Sequence, residues 1–178
     1  NPLISKNMSH SRIIQVSTSP IKEDERHFAH DYDFERFQAE IPMMDYFKES
    51  SDQREDDLAW FGKHLQMLGF SLSGETISVN PDKLESYFIR VWKTAAIDAA
   101  EKFDILKMSM IARGEYFCSM YVYDMDDGFP KPLWQWAYDV LEHCPKNTKY
   151  YVGGFLDYHF YAPNKAASGL LRVRLLYV

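Results

Sequence analysis

Residues 150–161, YYVGGFLDYHFY, decide how the predicted sheet is built, because two adjacent glycines interrupt a run of strand-forming side chains. Six tyrosine and phenylalanine rings surround Gly153 and Gly154, and such rings are enriched in strands. A Gly-Gly pair between two strand segments predicts a β-hairpin with a two-residue turn. In this hairpin Tyr150 pairs with Asp157.

The two faces of the predicted hairpin differ in polarity. The face that we assign to the core carries Tyr151, Leu156, Tyr158 and Phe160. The second face, which mixes apolar and polar side chains, carries Tyr150, Val152, Phe155, Asp157, His159 and Tyr161. The alternative to a hairpin is a bulge within one long strand, in which only one glycine needs an unusual backbone conformation.

Asp157 and His159 are the main candidates for chemistry. They lie two residues apart, so they project from the same face of a strand, and the hairpin places Tyr150 beside them. A carboxylate beside an imidazole can act as a general base or orient a proton shuttle. The alternative is a polar pair on an exposed sheet face, whose aromatic side chains serve simple binding.

The rest of the chain predicts a mixed order of strands and helices. Strands are predicted at 12–18, in a hairpin over 70–80, at 115–124 and at 170–178. Helices are predicted at 56–69 with Gly69 as the cap, from Asn80-Pro81 to about Phe103, and at 131–144 beginning at Pro132. This order favours the α+β class, with a largely antiparallel sheet of five to six strands packed by three main helices.

Two segments are harder to interpret. Residues 21–53 are polar with scattered aromatics, which predicts an irregular region with one short helix at 33–39, or else an element without a clear signal. In ILKMSMIARG (105–114) the apolar residues fit either a strand or a helix, and we favour a short helix that ends at Gly114. We expect residues 1–10 to be a flexible segment, with Met8 as a candidate start, and residues 11–178 to form one domain.

Composition and charge exclude several classes of function. The net charge is −6, and a dedicated nucleic-acid binder needs a basic face, so no nucleic acid is expected as a partner. The chain has no apolar run long enough to span a membrane and no apolar signal-peptide core, so no membrane partner is expected. Cys118 and Cys144 lie in apolar surroundings, which favours two buried thiols in the reducing cytoplasm over a disulfide framework.

Motifs for metals and cofactors are weak or absent. His27 and His30 are three residues apart with Asp31 adjacent, a spacing that could bind a metal on a helix, although solvated histidines are the simpler interpretation. The sequence DMDDG (124–128) resembles a calcium loop, but Gly128 comes one position early and the twelfth position is Gln135. No phosphate-binding glycine loop or nucleophile motif is present, so no cofactor is predicted.

These observations leave two hypotheses. The first is a small cytosolic, non-enzymatic protein-binding module with an accessory or regulatory role, whose layout resembles that of many small bacterial or phage proteins. Its partner is another protein or a second copy of the chain, and the candidate contact residues are Trp134, Trp136, Phe155 and Tyr161. The second is a small hydrolase- or isomerase-like enzyme that uses Asp157 and His159 on an aromatic-lined sheet face.

Overall fold

A computed structural model describes residues 8–28, 41, 44–49, 53–112, 120–143 and 147–161. Its strands are β1 (Met8–Ser17), β2 (Met44–Glu49), β3 (Phe70–Ser73), β4 (Thr76–Val79), β5 (Tyr121–Asp124), β6 (Phe129–Pro132) and β7 (Lys149–Tyr161). Its helices are α1 (Arg54–Leu68), α2 (Pro81–Tyr87), a π-helical turn (Phe88–Trp92), α3 (Lys93–Glu101), α4 (Ile105–Ala112) and α5 (Leu133–His143), besides a 3-10 helix at Glu23–Arg26. The mixed, mostly antiparallel sheet and three main helices confirm the predicted α+β class.

The sheet is organised around the long strand β7. The strand order is β3-β4-β7-β1-β5-β6, and β2 also pairs with β7. β1 pairs with β7 along almost its whole length, so β4 and β2 share the other edge of β7, one at each end. The pairing of β1 with β5 is parallel, whereas the other pairs are antiparallel.

The predicted Gly-Gly hairpin is wrong. β7 continues through Gly153 and Gly154, and neither glycine has a positive φ. The register of β1 and β7 shifts here, since Ile14 pairs with Phe155 and Val16 pairs with Val152. Two glycines therefore lie opposite the single residue Gln15, which is a β-bulge. The alternative of a bulge within one long strand thus describes the topology, but here no glycine needs a left-handed backbone.

The bulge keeps the two predicted sets of side chains on separate faces, because one extra residue reverses the alternation of a strand. Tyr150, Val152 and Phe155 are buried in the core cluster beneath α1, α2 and α5. Leu156 and Tyr158 belong to a second cluster on the opposite face, with Phe28 and Ile41 from the segment that precedes β2. Both faces of the sheet are therefore covered, and the mixed face is the one that packs against the helices.

The helix signals in the sequence correspond to local structure. α1 ends at Gly69, which has a φ of 111°, and its apolar residues Phe61, Leu65 and Leu68 are buried. Asn80 caps α2 by accepting a hydrogen bond from the backbone nitrogen of Lys83 at 3.1 Å. α2, the π-helical turn and α3 follow one another without a break to Glu101, which confirms the predicted long helix.

Several predicted boundaries are corrected. Residues 21–53 contain the strand β2, which carries no strand signal because much of its stabilisation comes from pairing with β7. Lys131 and Pro132 end the strand β6, so α5 begins at Leu133 rather than at Pro132. Residues 105–112 are helical, as favoured. β1 begins at Met8, inside the segment expected to be flexible. Residues 33–39 and 170–178 and the two cysteines lie outside the described residues.

Candidate functional site

Tyr150 does not lie beside Asp157 as predicted. Tyr150 and Asp157 are seven residues apart on one continuous strand, which separates them by roughly 20 Å. Tyr150 is buried, and its ring packs edge-on against Trp136 at 5.1 Å. It is a core residue, and its predicted pairing with Asp157 is wrong because the hairpin does not form.

Asp157 faces the helix-covered side of the sheet and forms an ion pair. Its Oδ1 lies 3.2 Å from Nε of Arg12, whose Nη1 lies 2.7 Å from Oδ1 of the buried Asp57 in α1. The guanidinium of Arg12 also stacks over the ring of Trp60 at 4.4 Å. This arrangement links β1, β7 and α1.

His159 pairs through its backbone with His10 of β1 and with Tyr46 of β2. Its imidazole lies outside the described side chains, so the predicted contact between Asp157 and His159 stays a prediction.

The proposed metal ligands lie only partly within the described residues. Nδ1 of His27 is 3.1 Å from Oε2 of Glu49 in β2, so this histidine has a carboxylate partner within the protein. His30 and Asp31 lie outside the described part of the chain. Among the residues that are described, no group of three or more histidine, cysteine, aspartate or glutamate side chains is placed to hold a metal ion.

The aspartate-rich turn between β5 and β6 is paired with a lysine side chain of the protein itself. Nζ of Lys131 contacts the carboxylate of Asp127 and lies 3.1 Å from Oδ2 of Asp139. Gly128 has a φ of 77°, and its N–H donates to the carbonyl of Asp124 at 2.9 Å. The segment is thus a hairpin turn that Lys131 links to α5.

Two of the four predicted partner contacts are buried. Trp136 is 1% exposed and Phe155 is 6% exposed, so both pack in the core. Trp134 is half-buried against Trp92, with ring centroids 4.7 Å apart. The side chain of Tyr161 lies outside the described ones. The sequence suggested an aromatic binding surface, but Trp136 and Phe155 pack between the sheet and the helices.

A cleft of about 640 Å³ lies above the bulge of β7. Gly154 and Phe155 lie at its floor, and the 3-10 helix and the first turn of α1 form its walls. Most of its lining side chains are ionisable: Glu23, Arg26, His27, Glu49, Arg54, Glu55, Asp56 and Asp57. The volume falls in the range of ligand sites, but ligand sites are usually lined by apolar side chains.

Two arginines of this cleft are paired within the protein. Arg54 and Arg26 both approach Oε1 of Glu75, at 2.9 and 2.8 Å. Arg54 also donates to the carbonyl of Gly153 at 2.5 Å, in the interval of the β7 edge between β4 and β2. The side chain of Arg54 therefore supplies hydrogen bonding that a neighbouring strand would otherwise provide, which gives this arginine a structural role.

Buried Gln15 explains the glycines at the floor of the cleft. Its Oε1 accepts a hydrogen bond from the backbone nitrogen of Gly154 at 2.9 Å, and its Nε2 donates to the carbonyl of Glu25 at the same distance. A Cβ at Gly153 would overlap the Gln15 side chain, and a Cβ at Gly154 would overlap the carbonyl oxygen of Arg26. Glycine is required here for close approach rather than for a left-handed backbone.

The corner between α3 and α4 is a more unusual feature. Phe103 has a φ of 51°, the left-handed region that is disfavoured for a bulky side chain, and it is 64% exposed. The N–H of Phe103 donates to the carbonyl of Ala100 at 3.1 Å, and that of Asp104 donates to the carbonyl of Ala99 at 2.9 Å. These two bonds form a Schellman motif, in which Phe103 occupies the position that glycine usually takes.

The corner is held by polar contacts. Oδ1 of Asp104 accepts a hydrogen bond from the backbone nitrogen of Lys107 at 3.1 Å, which caps α4. Asp98 forms ion pairs with Lys102 at 2.9 Å and Lys107 at 3.0 Å. Hydrogen bonds from Lys102 and then Lys107 lower the pKa of the Asp98 carboxyl from its ordinary value. The Asp98–Lys107 ion pair crosses from α3 to α4 and, with the cap at Asp104, holds the backbone of the corner.

Exposed apolar side chains also lie on either side of the corner. Ile97 in α3 is 47% exposed and Met108 in α4 is 41% exposed. The principal packing partners of α3 are the π-helical turn and α4 rather than the sheet. We therefore take the corner, defined as residues 93–108, as the candidate functional site. The sequence shows where this helix ends but carries no signal that Phe103 is exposed, because its apolar character fits a core position equally well.

Comparison with protein-family models, with curated proteins and with solved structures finds no match for this chain. None of the helices within the described residues combines the length and the apolar character needed to cross a lipid bilayer.

Proposed function

We propose that this protein is a non-enzymatic binding module that docks another protein through the corner at residues 93–108. The observation that carries the proposal is the exposed Phe103 in a left-handed conformation. Glycine at this position would avoid both the backbone strain and the exposed ring, so the fold itself gives no reason for phenylalanine.

Preorganisation supports this role. An aromatic side chain binds most effectively when its orientation is already fixed, because little conformational entropy is then lost on association. At the corner, Asp104 caps α4, and Asp98 pairs with Lys107 of α4 and with Lys102. These contacts hold the backbone that carries the exposed Phe103, and phenylalanine is among the aromatic residues enriched at protein interfaces. The two cysteines and the acidic composition favour a cytosolic setting for the module.

The experiment compares capture by the wild-type protein and by two variants. Each protein is immobilised, incubated with lysate of its source cell and analysed by quantitative mass spectrometry. Phe103→Gly removes the ring and suits the backbone, so we expect it to fold at least as stably as the wild type and to lose the partner by about tenfold or more in enrichment. Met67→Gln, which changes a residue that is 72% exposed on α1, should retain the partner.

Two results would count against the proposal. Equal capture by Phe103→Gly and wild type would move the binding surface elsewhere, and equal loss in Met67→Gln would indicate nonspecific adhesion. The enzymatic alternative has a separate test. If it is correct, Asp157→Asn or His159→Ala should abolish an activity found in a substrate screen, whereas binding through the corner should be unaffected.

A further inference from the structure

We propose that the partner at the corner is a second copy of this chain, docked antiparallel on the exposed face of α3 about a twofold axis near Ile97. This inference rests on the proposed function, since it assigns the occupant of the same surface. It would make the protein a closed dimer, in which each copy contributes the same surface.

Three exposed residues define the contact face. Lys93, Ile97 and Glu101 are spaced four apart, so they lie along one side of α3. The two charged ends are separated by about 12 Å along the helix, with the apolar residue at the midpoint. No ion pair is formed by Lys93 or Glu101 within the part of the chain that the structure describes.

This face is complementary to itself. When two copies of α3 pair antiparallel with Ile97 at the centre, Lys93 of each copy lies opposite Glu101 of the other. The same residues in a parallel pairing would place like charges together, which is unfavourable. The neighbouring exposed residues Thr94, Ala96 and Ala100 are small, so two helices can approach closely.

The distribution of charge also favours this surface for self-association. The chain carries a net charge of −6, so two copies repel each other overall at long range. The corner carries three lysines and three acids, so it is neutral, and it combines this neutrality with the exposed side chains of Ile97 and Phe103. Two copies can meet here without a net electrostatic penalty.

Sedimentation equilibrium of the full chain and of charge-reversal variants tests the pairing. We expect a monomer–dimer equilibrium for the wild type. Lys93→Glu and Glu101→Lys should each weaken dimerisation about tenfold, because each places two like-charge pairs in the interface. The double variant Lys93→Glu/Glu101→Lys restores both opposite-charge pairs and should return the dissociation constant to within about threefold of wild type.

Two further variants complete the design. Ile97→Asp should give a monomer, because it places two carboxylates at the centre of the interface. Lys63→Glu, which reverses an exposed charge on α1, should leave the dissociation constant unchanged. All substituted positions are exposed, and circular dichroism confirms that each variant is folded before it is compared.

Several outcomes would overturn the inference. A wild-type protein that remains monomeric at about 100 µM, a concentration at which even weak dimers form, has no such interface. If neither single charge reversal changes the dissociation constant, the dimer uses another surface. An assembly larger than a dimer contradicts the closed twofold arrangement. A monomer that still captures a different protein through Phe103 would refute the self-pairing and leave the proposed function intact.

Discussion

The ends of α1 and α3 have similar capping geometry but opposite residues at the critical position. Gly69 closes α1 with a φ of 111°, and its N–H donates to the carbonyls of Leu65 and Gln66 at 3.2 and 3.3 Å. Phe103 follows α3 with a φ of 51°; its N–H donates to the carbonyl of Ala100, and the N–H of Asp104 donates to the carbonyl of Ala99. One end has the residue that the backbone favours, and the other has one that the backbone disfavours.

The surroundings explain the glycine but not the phenylalanine. A Cβ on Gly69 would lie 2.6 Å from the backbone nitrogen of Leu84, so packing between α1 and α2 excludes any side chain. At Phe103 the side chain extends into solvent. The fold therefore explains why residue 69 is glycine. It does not explain an exposed aromatic in a strained conformation at residue 103, which suggests a contact outside the chain.

The largest expected effect is at the end of α1. Gly69→Ala should lower the free energy of unfolding by about 3 kcal/mol or more, because the left-handed backbone and the overlap with Leu84 both oppose a Cβ. Gly74→Ala is the matched control, since Gly74 also has a positive φ but has no atom near its Cβ position. Its cost should be only about 1 kcal/mol. Urea denaturation of both variants measures the difference, and equal costs would contradict the packing explanation.

The bulge of β7 extends the comparison to glycines with ordinary backbone angles. Gly154→Ala should cost about 2 kcal/mol, because the added Cβ meets the rigid carbonyl of Arg26. Gly153→Ala should cost less, since the atoms that it meets belong to the side chains of Gln15 and Ile21 rather than to the backbone.

Gly153→Asn separates the bulge from a hairpin turn. Asparagine tolerates a left-handed backbone, so a turn would accept it, whereas the bulge has no space for any side chain. We expect Gly153→Asn to lower the melting temperature at least as much as Gly153→Ala. If Gly153→Asn leaves the melting temperature unchanged, the hairpin turn is supported instead of the bulge.

The smallest expected effect concerns the ion pairs of the corner. Because Lys102 and Lys107 lower the pKa of Asp98 in the folded state, this carboxylate stabilises the fold above its ordinary pKa of 3.8. That contribution is lost as the pH falls through the lowered pKa. Wild type and Asp98→Asn should therefore differ in melting temperature at pH 6 and converge in strong acid. Glu85→Gln, which changes an exposed carboxyl on α2, should differ less from wild type in melting temperature at pH 6. If the difference between wild type and Asp98→Asn persists in strong acid, the ion pairs are not its cause.

Much of the fold follows from short-range signals in the sequence. Asn80-Pro81 defines the start of α2 because the cap and the fixed φ of proline act within one turn. Gly69 defines the end of α1 for the same local reason. The hairpin of β3 and β4 forms around Gly74-Glu75, where the predicted turn is confirmed. Each signal acts over a few residues and is independent of the remaining chain.

The candidate site is less predictable. The sequence identifies a helix that ends near Phe103, but exposure depends on which helices pack against the sheet. The same limitation explains Trp136 and Phe155, which the sequence shows as aromatic and the tertiary structure buries. β2 escapes prediction because its pairing with β7 is a long-range interaction.

The α+β class, the caps at Gly69 and Asn80 and the sorting of residues 150–158 of β7 into two faces all follow from local sequence patterns. For these residues the sorting is correct although the hairpin is wrong, because a two-residue turn and a one-residue bulge shift the alternation in the same way. The choice between turn and bulge is made by tertiary contacts. The choice depends on Gln15 and on the carbonyl of Arg26, which approach Gly153 and Gly154 from distant parts of the chain and leave no space for a side chain.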